Sequence, residues 1–585
     1  MILSCRKIEK SFGDKVVLDK IDFDIEDYDR IGIVGKNGAG KSTLANIIYG
    51  VLKSDSGQII EGRKKIKIGY LKQITRDEKR NINFIIQNDN VNKISDFLTL
   101  TSNLNLGKVS EWEEGRFDNL SGGEKAKIEL ANLWVDKYDI LILDEPTNNV
   151  DLEGVNCIIK EIQKLNCAVL IISHDRYFLD KTVGKIFELK QGKLNVFNGN
   201  YTYYKEQKEI QFKNQLKQYT LEVKEQKMID KQINKLKTWS DKAHRQSGKE
   251  GTLSERRQLG LKEFQRVKAK KMDKQIKSRE KKLMKMKKEG IEKPKDDNDI
   301  SLNRFGINEK QGRHLINVNG ISKSYGNNII FENSSFYINR GEKIGLVGGN
   351  GAGKTTLIRI LLGEEKADDG IVKFNNNDIG YLTQDILDLD ENSSVLQILR
   401  ENPDIDESLA RIAFANLGLD TVMLSKKILG MSLGERTRIK IALLIMKKNN
   451  MLILDEPTNH LDLKSREELE RELIDYEGTL LIVSHDKYLI ESVCDKILLI
   501  KDKKISRIEK KLSEYEESQN QSLRKAKDRK EKKKLLNKDE LMLLDVRISQ
   551  ILNEISKNQP ESEKYKLLDE EIKELMRRKK ELNLS

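Results

Sequence analysis

Short apolar runs and long amphipathic stretches divide this chain into two kinds of segment. The runs Ile-Leu-Ile-Leu before Asp144 and Met-Leu-Ile-Leu before Asp455 have the length of buried strands. From about residue 205 to 240 there is no Pro or Gly, and apolar residues recur at four-three-four spacing, which predicts a helix about 54 Å long. The apolar positions of this helix are Phe212, Leu216, Tyr219 and Val223. The pattern therefore predicts α/β domains combined with long helices.

The α/β part of the sequence occurs twice. "GKNGAGKST" at 35–43 returns as "GGNGAGKTT" at 348–356, and "LSGGE" at 120–124 returns as "MSLGE" at 431–435. The phrases "LDEPTN", "GYL-x-Q" and "SHD" also occur in both halves, in the same order. Two copies of one domain explain these matches.

The repeat and the helical stretches together predict four segments. These are a first α/β domain at 1–204, a helical linker at 205–310, a second α/β domain at 311–511 and a helical extension at 512–585. We expect the linker to be a hairpin that turns between Gly248 and Gly260, and the extension to be a second hairpin that turns at Pro560.

Composition is consistent with a large soluble protein. The 585 residues are 37% hydrophobic, which is enough for a core in each domain, and no stretch approaches eighteen consecutive apolar residues. The N-terminus meets charge too early for a secretory signal, so we expect a cytoplasmic protein without a membrane segment. The four cysteines have no CxxC spacing, which argues against a zinc site or a disulfide framework; they are Cys5, Cys157, Cys167 and Cys494.

The glycine-rich phrase is a P-loop, because in both copies it follows an apolar strand and opens a helix. Its backbone N–H groups can surround phosphate oxygens, and the helix N-terminus adds a partial positive charge. Lys41 and Lys354 would neutralise the β- and γ-phosphates of ATP, while Ser42 and Thr355 would ligate Mg²⁺. The predicted phosphate-binding residues are Gly35, Asn37, Gly38, Gly40, Lys41, Ser42 and Thr43 in the first copy, and Gly348, Asn350, Gly351, Gly353, Lys354, Thr355 and Thr356 in the second.

The strand-end carboxylates supply the remaining chemistry of ATP hydrolysis. In each "LDEP" phrase the aspartate, Asp144 or Asp455, would hold the metal, and the glutamate, Glu145 or Glu456, would polarise the attacking water. Two more side chains would complete each site. The amides of Gln73 and Gln384 would be ligands of the metal or of water, and the imidazoles of His174 and His485 would reach the γ-phosphate.

These motifs, in this order and twice over, resemble the ATP-binding-cassette ATPases across roughly 400 residues. The resemblance implies that the two cassettes pair head to tail, with each ATP lying between the P-loop of one and the signature phrase of the other. It also implies D-loop aspartates at Asp151 and Asp462, and adenine-stacking aromatics at Phe12 and Tyr325. The site containing Lys41 would be completed by Ser432 and Gly434, and the site containing Lys354 by Ser121, Gly122 and Gly123.

Two departures from the repeat predict unequal sites. Leu433 stands at the first signature glycine, where any backbone conformation with positive φ would be strained. Asn149 stands where the second copy has His460, at the place where the cassettes would meet. We expect both sites to hydrolyse ATP, at different rates.

The linker carries the excess charge of the whole chain. Residues 205–300 contain 29 Lys and Arg against 16 Asp and Glu, a net charge of +13 that equals the net charge of the protein. Charge runs are usually solvated faces, but here basic and aromatic groups occur together near the end of a predicted hairpin, which suits phosphate contacts and base stacking on RNA. These groups are Trp239, His244, Arg245, Lys249, Arg256, Arg257 and Phe264.

Two fused cassettes with a charged helical linker and no membrane domain resemble the ABC-F family. The resemblance implies a protein that binds ribosomes, acts as a monomer through its own pair of cassettes, and directs its linker toward tRNA and the large-subunit rRNA of the peptidyl-transferase centre. From Gln73 to Ser121 and from Gln384 to Ser432 the spacing is 48 residues, so the first cassette lacks the extra arm of some housekeeping members. The chain thus resembles the group that protects ribosomes from lincosamides, pleuromutilins and streptogramin A compounds.

Several alternatives stay open at this point. A housekeeping translation factor without an arm would share all of these features, and an ATPase subunit of a membrane transporter would share the cassettes. Chromosome and excision-repair ATPases fit less well, because the former interrupt the cassette itself and the latter carry zinc-binding cysteines.

Overall fold

The computed structural model describes most of both cassettes and of the two helical hairpins. The described residues are 1–63, 65–72, 91–104, 106, 122–148, 150–247, 255–289, 314–374, 378–383, 390–402, 407–417, 419, 421–447, 449–459, 461–556 and 563–584.

The first cassette consists of a three-stranded antiparallel sheet and a six-stranded, mainly parallel sheet with helices against it. Its strands are β1 Leu3–Phe12, β2 Lys15–Ile25, β3 Arg30–Gly35, β4 Ser56–Glu61, β5 Ile68–Leu71, β6 Ile140–Asp144, β7 Ala168–Ile172, β8 Lys185–Lys190 and β9 Lys193–Phe197. Its helices are α1 Lys41–Tyr49, α2 Val91–Asn103, α3 Gly122–Val135, α4 Leu152–Lys164 and α5 Arg176–Thr182.

The strand order of the large sheet places the chemistry at one edge. The order is β5-β6-β7-β3-β8-β9, and only β9 runs antiparallel to its neighbour. Strands β6 and β7 are fully buried, as continuous apolar runs covered on both faces should be. The P-loop, the "DEP" phrase and the "SHD" phrase follow strands β3, β6 and β7, so they all lie at the carboxyl edge of the sheet, where ligands of such sheets bind.

The second cassette repeats this plan. Its strands are β10 His314–Tyr325, β11 Asn328–Asn339, β12 Lys343–Gly348, β13 Asp369–Phe374, β14 Ile379–Leu382, β15 Met451–Asp455, β16 Thr479–Val483, β17 Lys496–Lys501 and β18 Lys504–Ile508. Its large sheet has the order β14-β15-β16-β12-β17-β18, and its small sheet has the order β11-β10-β13. Its helices are α8 Lys354–Leu362, α9 Val395–Glu401, α10 Glu407–Asn416, α11 Thr421–Leu424, α12 Leu433–Met446, α13 Leu463–Asp475 and α14 Lys487–Val493. The two-domain α/β prediction is confirmed.

The linker forms two long helices, α6 Tyr201–Ser247 and α7 Glu255–Glu289. They pack through a narrow apolar seam of Ile229, Ile233, Leu236, Ile276 and Leu283. The predicted turn from Gly248 to Gly260 was too long, because α7 already includes Gly260. A single glycine costs a helix only about 1 kcal/mol, and its neighbours in "ERRQLGLKEF" are mostly good helix formers.

The C-terminal extension is also a helical hairpin, formed by α15 Leu512–Ile555 and α16 Glu563–Leu584. Ile551 of α15 packs against Leu568 and Ile572 of α16. The predicted turn at Pro560 lies outside the described residues. No helix among the described residues is long and apolar enough to span a membrane.

Candidate active site

Each P-loop depends on a glycine just before its helix. Gly40 and Gly353 have φ values of +101° and +97° and act as the N-caps of α1 and α8. A Cβ at Gly40 would lie 2.6 Å from Val17 Cγ1, and one at Gly353 would lie 2.2 Å from Ile330 Cγ2. Only glycine satisfies both the left-handed backbone and the close contact. Backbone N–H groups in turns of this kind can surround phosphate oxygens.

The P-loop lysines lie against their own loops. Lys41 Nζ donates hydrogen bonds to the carbonyl oxygens of Gly35 at 2.8 Å and Lys36 at 3.2 Å, and Lys354 Nζ donates to Gly348 and Gly349 at 2.9 and 3.1 Å. Burial lowers the pKa of both lysines, and the nearby carboxylates oppose this shift. A negatively charged phosphate would therefore be a favourable partner for each ammonium group.

In the first cassette the structure brings the two predicted metal ligands together. Ser42 Oγ donates a 2.9 Å hydrogen bond to Asp144 Oδ2. Burial raises the pKa of Asp144 and of Asp455. The described residues contain no cluster of three His, Cys, Asp or Glu side chains that could hold a metal by itself. A hydroxyl and one carboxylate suit Mg²⁺, which takes its remaining ligands from water and from nucleotide phosphates.

The glutamate after each predicted metal ligand, Asp144 or Asp455, has an unusual backbone. Glu145 and Glu456 have φ values of +52° and +50°, a left-handed conformation that costs a non-glycine residue about 1–2 kcal/mol. Their N–H groups donate 2.8 Å hydrogen bonds to the carbonyls of Ile172 and Val483 on the adjacent strands. The same strain in both cassettes indicates that the direction of this carboxylate is selected at the expense of stability.

Each of these glutamates lies beside the histidine of the same cassette. His174 Nε2 is 3.7 Å from Glu145 Oε1, and His485 Nε2 is 3.5 Å from Glu456 Oε1. Burial, reinforced by the P-loop lysine, lowers the pKa of His174 well below its usual value and that of His485 to about 4. Both imidazoles are therefore neutral at physiological pH.

Both glutamates keep one buried oxygen without a hydrogen-bond partner. Glu145 Oε1, Glu456 Oε1 and His174 Nδ1 have none among the described residues. Buried polar atoms are rarely left unsatisfied, so these atoms fit a water and a nucleotide that would supply the missing bonds. The residues present therefore suit ATP and Mg²⁺.

Burial raises the pKa of Glu145 to about 7 and that of Glu456 to about 8, from a usual value of 4.5. Between pH 4.5 and 8 the folded protein therefore holds protons that the unfolded chain has lost, so these groups stabilise the fold less as pH rises. We expect the Glu145→Gln/Glu456→Gln variant, free of nucleotide and metal, to gain melting temperature over the wild type as pH rises from 5 to 8.5. Differential scanning calorimetry in EDTA measures this, with the exposed Glu153→Gln as the control. A difference that is constant with pH would contradict the prediction.

Reciprocal contacts join each P-loop to the opposite cassette. The backbone N–H of Asn37 donates to Asp462 Oδ2 at 3.3 Å, and that of Asn350 donates to Asp151 Oδ2 at 3.2 Å. The same aspartates cap helices α13 and α4 through the N–H groups of Ser465 and Gly154, both at 2.9 Å. Burial would raise the pKa of both carboxyls, but these backbone hydrogen bonds outweigh it and lower the pKa. Both D-loops thus reach across the interface.

The second signature forms the start of helix α12. Ser432 is its N-cap, and Ser432 and Glu435 bond to each other's backbone in a capping box. Leu433 is about half exposed and does not have a positive φ, so the strain that a positive φ would impose there is absent. Gly122 and Gly123 are the first two residues of helix α3.

Replacing Leu433 with Gly should raise turnover at the site containing Lys41, by about threefold or ~0.6 kcal/mol of barrier. The smaller residue would let the N–H groups at the start of α12 approach a bound phosphate more closely. The Glu456→Gln background silences the other site and isolates this effect. In the Glu145→Gln background we expect a change below about twofold. An effect confined to that second background would reverse our pairing of signatures with P-loops.

Other predicted residues are placed less completely. Phe12 and Tyr325 are about half exposed at the ends of β1 and β10, and Tyr325 Oη donates to Glu365 at 2.6 Å. Trp239 and Arg245 are exposed near the end of α6. Gln73, Ser121, Asn149, Lys249, Gln384 and His460 lie outside the described residues, as do the side chains of His244, Arg256, Arg257 and Phe264. The roles of all these groups stay predictions.

The comparisons with known proteins agree with this geometry. Residues 18–148 and 331–459 match a family model described as ABC transporter, and residues 187–263 match a second model with the same description. The chain is 35% identical to the ribosome protection protein VmlR of Bacillus subtilis, over all of this chain and 98% of that protein. It is 29% identical to the energy-dependent translational throttle protein EttA of Escherichia coli, over 84% of this chain and 91% of that protein.

A solved structure supports the fold. A complex of an archaeal ribosomal stalk protein and the archaeal recycling factor aABCE1 aligns with a TM-score of 0.56 at 19% identity, covering 84% of this chain and 87% of that one. Tandem cassettes that match the family model, and a full-length relative at 35% identity, show the family. The chain belongs to the ABC-F family of tandem-cassette proteins and is an ATPase.

Proposed function

We propose that this protein binds the ribosome, hydrolyses ATP there and protects the peptidyl-transferase centre from lincosamide, pleuromutilin and streptogramin A antibiotics. The observation that carries this proposal is the match to VmlR, which is named as a ribosome protection protein and aligns from end to end with this chain. The equal 48-residue spacing from Gln73 to Ser121 and from Gln384 to Ser432 also supports the ribosome-protection group.

In each site the protein side chains would have separate roles in ATP hydrolysis. Lys41 and Lys354 transfer their hydrogen bonds from loop carbonyls to the β- and γ-phosphates, and Glu145 and Glu456 polarise the attacking water. Mg²⁺, when bound, supplies positive charge to the phosphate oxygens. Its protein ligands would be Ser42, Gln73 and Asp144 in one site, and Thr355, Gln384 and Asp455 in the other.

The neutral histidines would act by orientation. The backbone N–H of His174 lies 3.4 Å from Glu145 Oε2, and that of His485 lies 3.3 Å from Glu456 Oε2. A neutral imidazole can donate one hydrogen bond to the γ-phosphate without competing for the proton of the attacking water. The signature of the opposite cassette would close each site, and Phe12 or Tyr325 would stack on adenine.

The linker would provide both affinity and reach. Most described lysines of α6 and α7 are exposed, and the two helices pack through the seam of Ile229, Ile233, Leu236, Ile276 and Leu283. Phosphate contacts by such a surface give affinity for RNA of any sequence, whereas aromatic and arginine groups at the far end can stack on unpaired bases. We propose contacts with tRNA and with large-subunit rRNA for a single, monomeric chain in the cytoplasm.

The test is growth of a susceptible host that expresses the protein, on lincomycin, tiamulin and a streptogramin A compound, with ribosome co-sedimentation measured in parallel. We expect protection against at least one drug and co-sedimentation in the presence of a non-hydrolysed ATP analogue. Ribosome binding without protection against any of the three would overturn the resistance role.

A housekeeping translation factor is the second candidate function. Its support is the similarity to EttA, a translational throttle protein, over 91% of that protein's length. This role predicts ribosome binding and an ATP-dependent effect on translation in the absence of any drug. Co-sedimentation with membranes in place of ribosomes would contradict both candidates.

A further inference from the structure

A buried arginine joins the two cassettes close to both ATP sites. Arg176 begins helix α5 of the first cassette, two residues after His174, and is only 2% exposed. Its Nη1 donates to Glu470 Oε2 at 2.6 Å, and its Nη2 lies 3.5 Å from Asp486 Oδ2. Both carboxylates belong to the second cassette. The guanidinium also lies 5.0 Å from the ring centre of Tyr488.

The acceptor Asp486 belongs to the "SHD" phrase of the second cassette. It directly follows His485, and its carboxylate caps helix α14 by accepting from the N–H of Leu489 at 3.2 Å. Arg466, near the start of α13, places Nη1 3.5 Å from the same Asp486 oxygen. Burial would raise the pKa of Asp486, but the two arginines outweigh it and lower the pKa, so the carboxylate is ionised. One ionic cluster therefore ties the His174 segment to the His485 segment.

The cluster exists on only one side of the molecular repeat. At the offset of 311 residues, Arg176 corresponds to Lys487, Glu470 to Ile159 and Arg466 to Val155. Lys487 lies 4.7 Å from the ring centre of Tyr177, which mirrors the Arg176–Tyr488 contact. Its ion pair, however, is made with Glu516 of the C-terminal helix α15 and not with the other cassette.

The charges and their burial determine how firmly each contact holds. Arg176 and Asp486 are 2% and 4% exposed, so water screens their attraction little. Removing Arg176 would leave the buried Asp486 with Arg466 and would take from Glu470 its 2.6 Å partner. Arginine presents a planar fork that can bond two acceptors at once, whereas lysine is a point charge on a flexible stem. Arg176 thus fixes both distance and angle between the two segments, which Lys487 does not.

We propose that Arg176 is a positioning residue that fixes the His174 segment and the His485 segment relative to each other. Both ATP sites then become competent for hydrolysis together. It does not touch nucleotide; it acts through Asp486 on His485 and through its own helix on His174. This role depends only on the ATPase activity of the chain and not on the proposed drug protection.

The test measures each site separately in the full-length protein, with Glu145→Gln or Glu456→Gln silencing one site at a time. We expect Arg176→Met to lower kcat about tenfold in both backgrounds, equivalent to ~1.4 kcal/mol of barrier, while KM for ATP changes less than about twofold. Arg176→Lys should recover part of kcat, because it keeps the charge. A KM increase with kcat unchanged would overturn the proposal.

Two further variants keep the test decisive. Lys487→Met is the matched control, and we expect it to change kcat less than about twofold at either site. Arg176→Met/Glu470→Met removes both members of the closest ion pair, so it avoids a stranded buried charge if Arg176→Met alone fails to fold. Wild-type kcat at both sites in this folded double variant would show that the cluster has no positioning role.

Discussion

The Glu145→Gln/Glu456→Gln variant should bind ATP but hydrolyse it at least about 100-fold more slowly than the wild type. A positioned general base contributes about 10²–10⁴-fold to rate, and glutamine keeps the size and hydrogen-bonding shape of the side chain while losing its basicity. The left-handed backbone at both positions is not altered by the change. Phosphate release and equilibrium binding of a fluorescent ATP analogue measure the two properties.

This variant should also remain on ribosomes, since closed cassettes that cannot hydrolyse ATP do not reopen. Expression would then slow growth, and co-sedimentation with ribosomes would rise with ATP. The exposed Glu153→Gln variant serves as a control with near wild-type turnover. Hydrolysis close to the wild-type rate in the double variant would remove both glutamates from the catalytic role.

Shortening the linker hairpin should abolish drug protection while leaving ATPase activity within about twofold of wild type. Deletion of 241–247 and 255–261 removes two turns from each helix and brings the far end about 10 Å closer to the cassettes. The seam residues Ile233 and Ile276 and the 2.7 Å hydrogen bond from Ser240 to Asp273 are retained, so the remaining hairpin should stay packed. Growth on the three drugs and ATPase assays give the two readouts.

A matched variant separates reach from affinity. Lys270, Lys271 and Lys274 are exposed on α7, away from the deleted turns. Replacing all three with Ala should weaken ribosome binding and reduce its salt dependence, because fewer phosphate contacts are made. Protection that survives the shortened hairpin would place the drug-protecting group elsewhere in the chain.

The repeat made the P-loops and the strand-end carboxylates predictable from sequence, and the helical period of apolar residues made the linker helices predictable. Their chemistry is local: a glycine turn, an apolar run and a helical period each occupy a few consecutive residues. The contact between Arg176 and Glu470 could not be predicted in this way, because 294 residues separate them and only the pairing of the cassettes brings them together. The sequence nevertheless contains a sign of this asymmetry, because "SHDR" in the first copy corresponds to "SHDK" in the second.

Backbone conformation is the second feature that the sequence does not predict. Nothing in the letters of "LDEP" indicates that the glutamate has a positive φ, which the structure shows together with a hydrogen bond from its N–H to the neighbouring strand. The predicted turn after α6 is too long because Gly260 lies inside α7, where the helix-forming residues around it outweigh the cost of one glycine.

The base of helix α6 is bonded to both cassettes. Tyr204 Oη and Lys208 Nζ each lie 2.9 Å from Glu188 of the first cassette, and Tyr201 Oη donates to Glu467 of the second at 3.3 Å. The helix beyond Lys208 is about 58 Å long, so a rotation of about 5° at the base moves its far end by about 5 Å. The linker can thus act as a lever arm. A rotation between the cassettes that is too small to break their contacts would move the far end of α6 by about the width of a nucleobase.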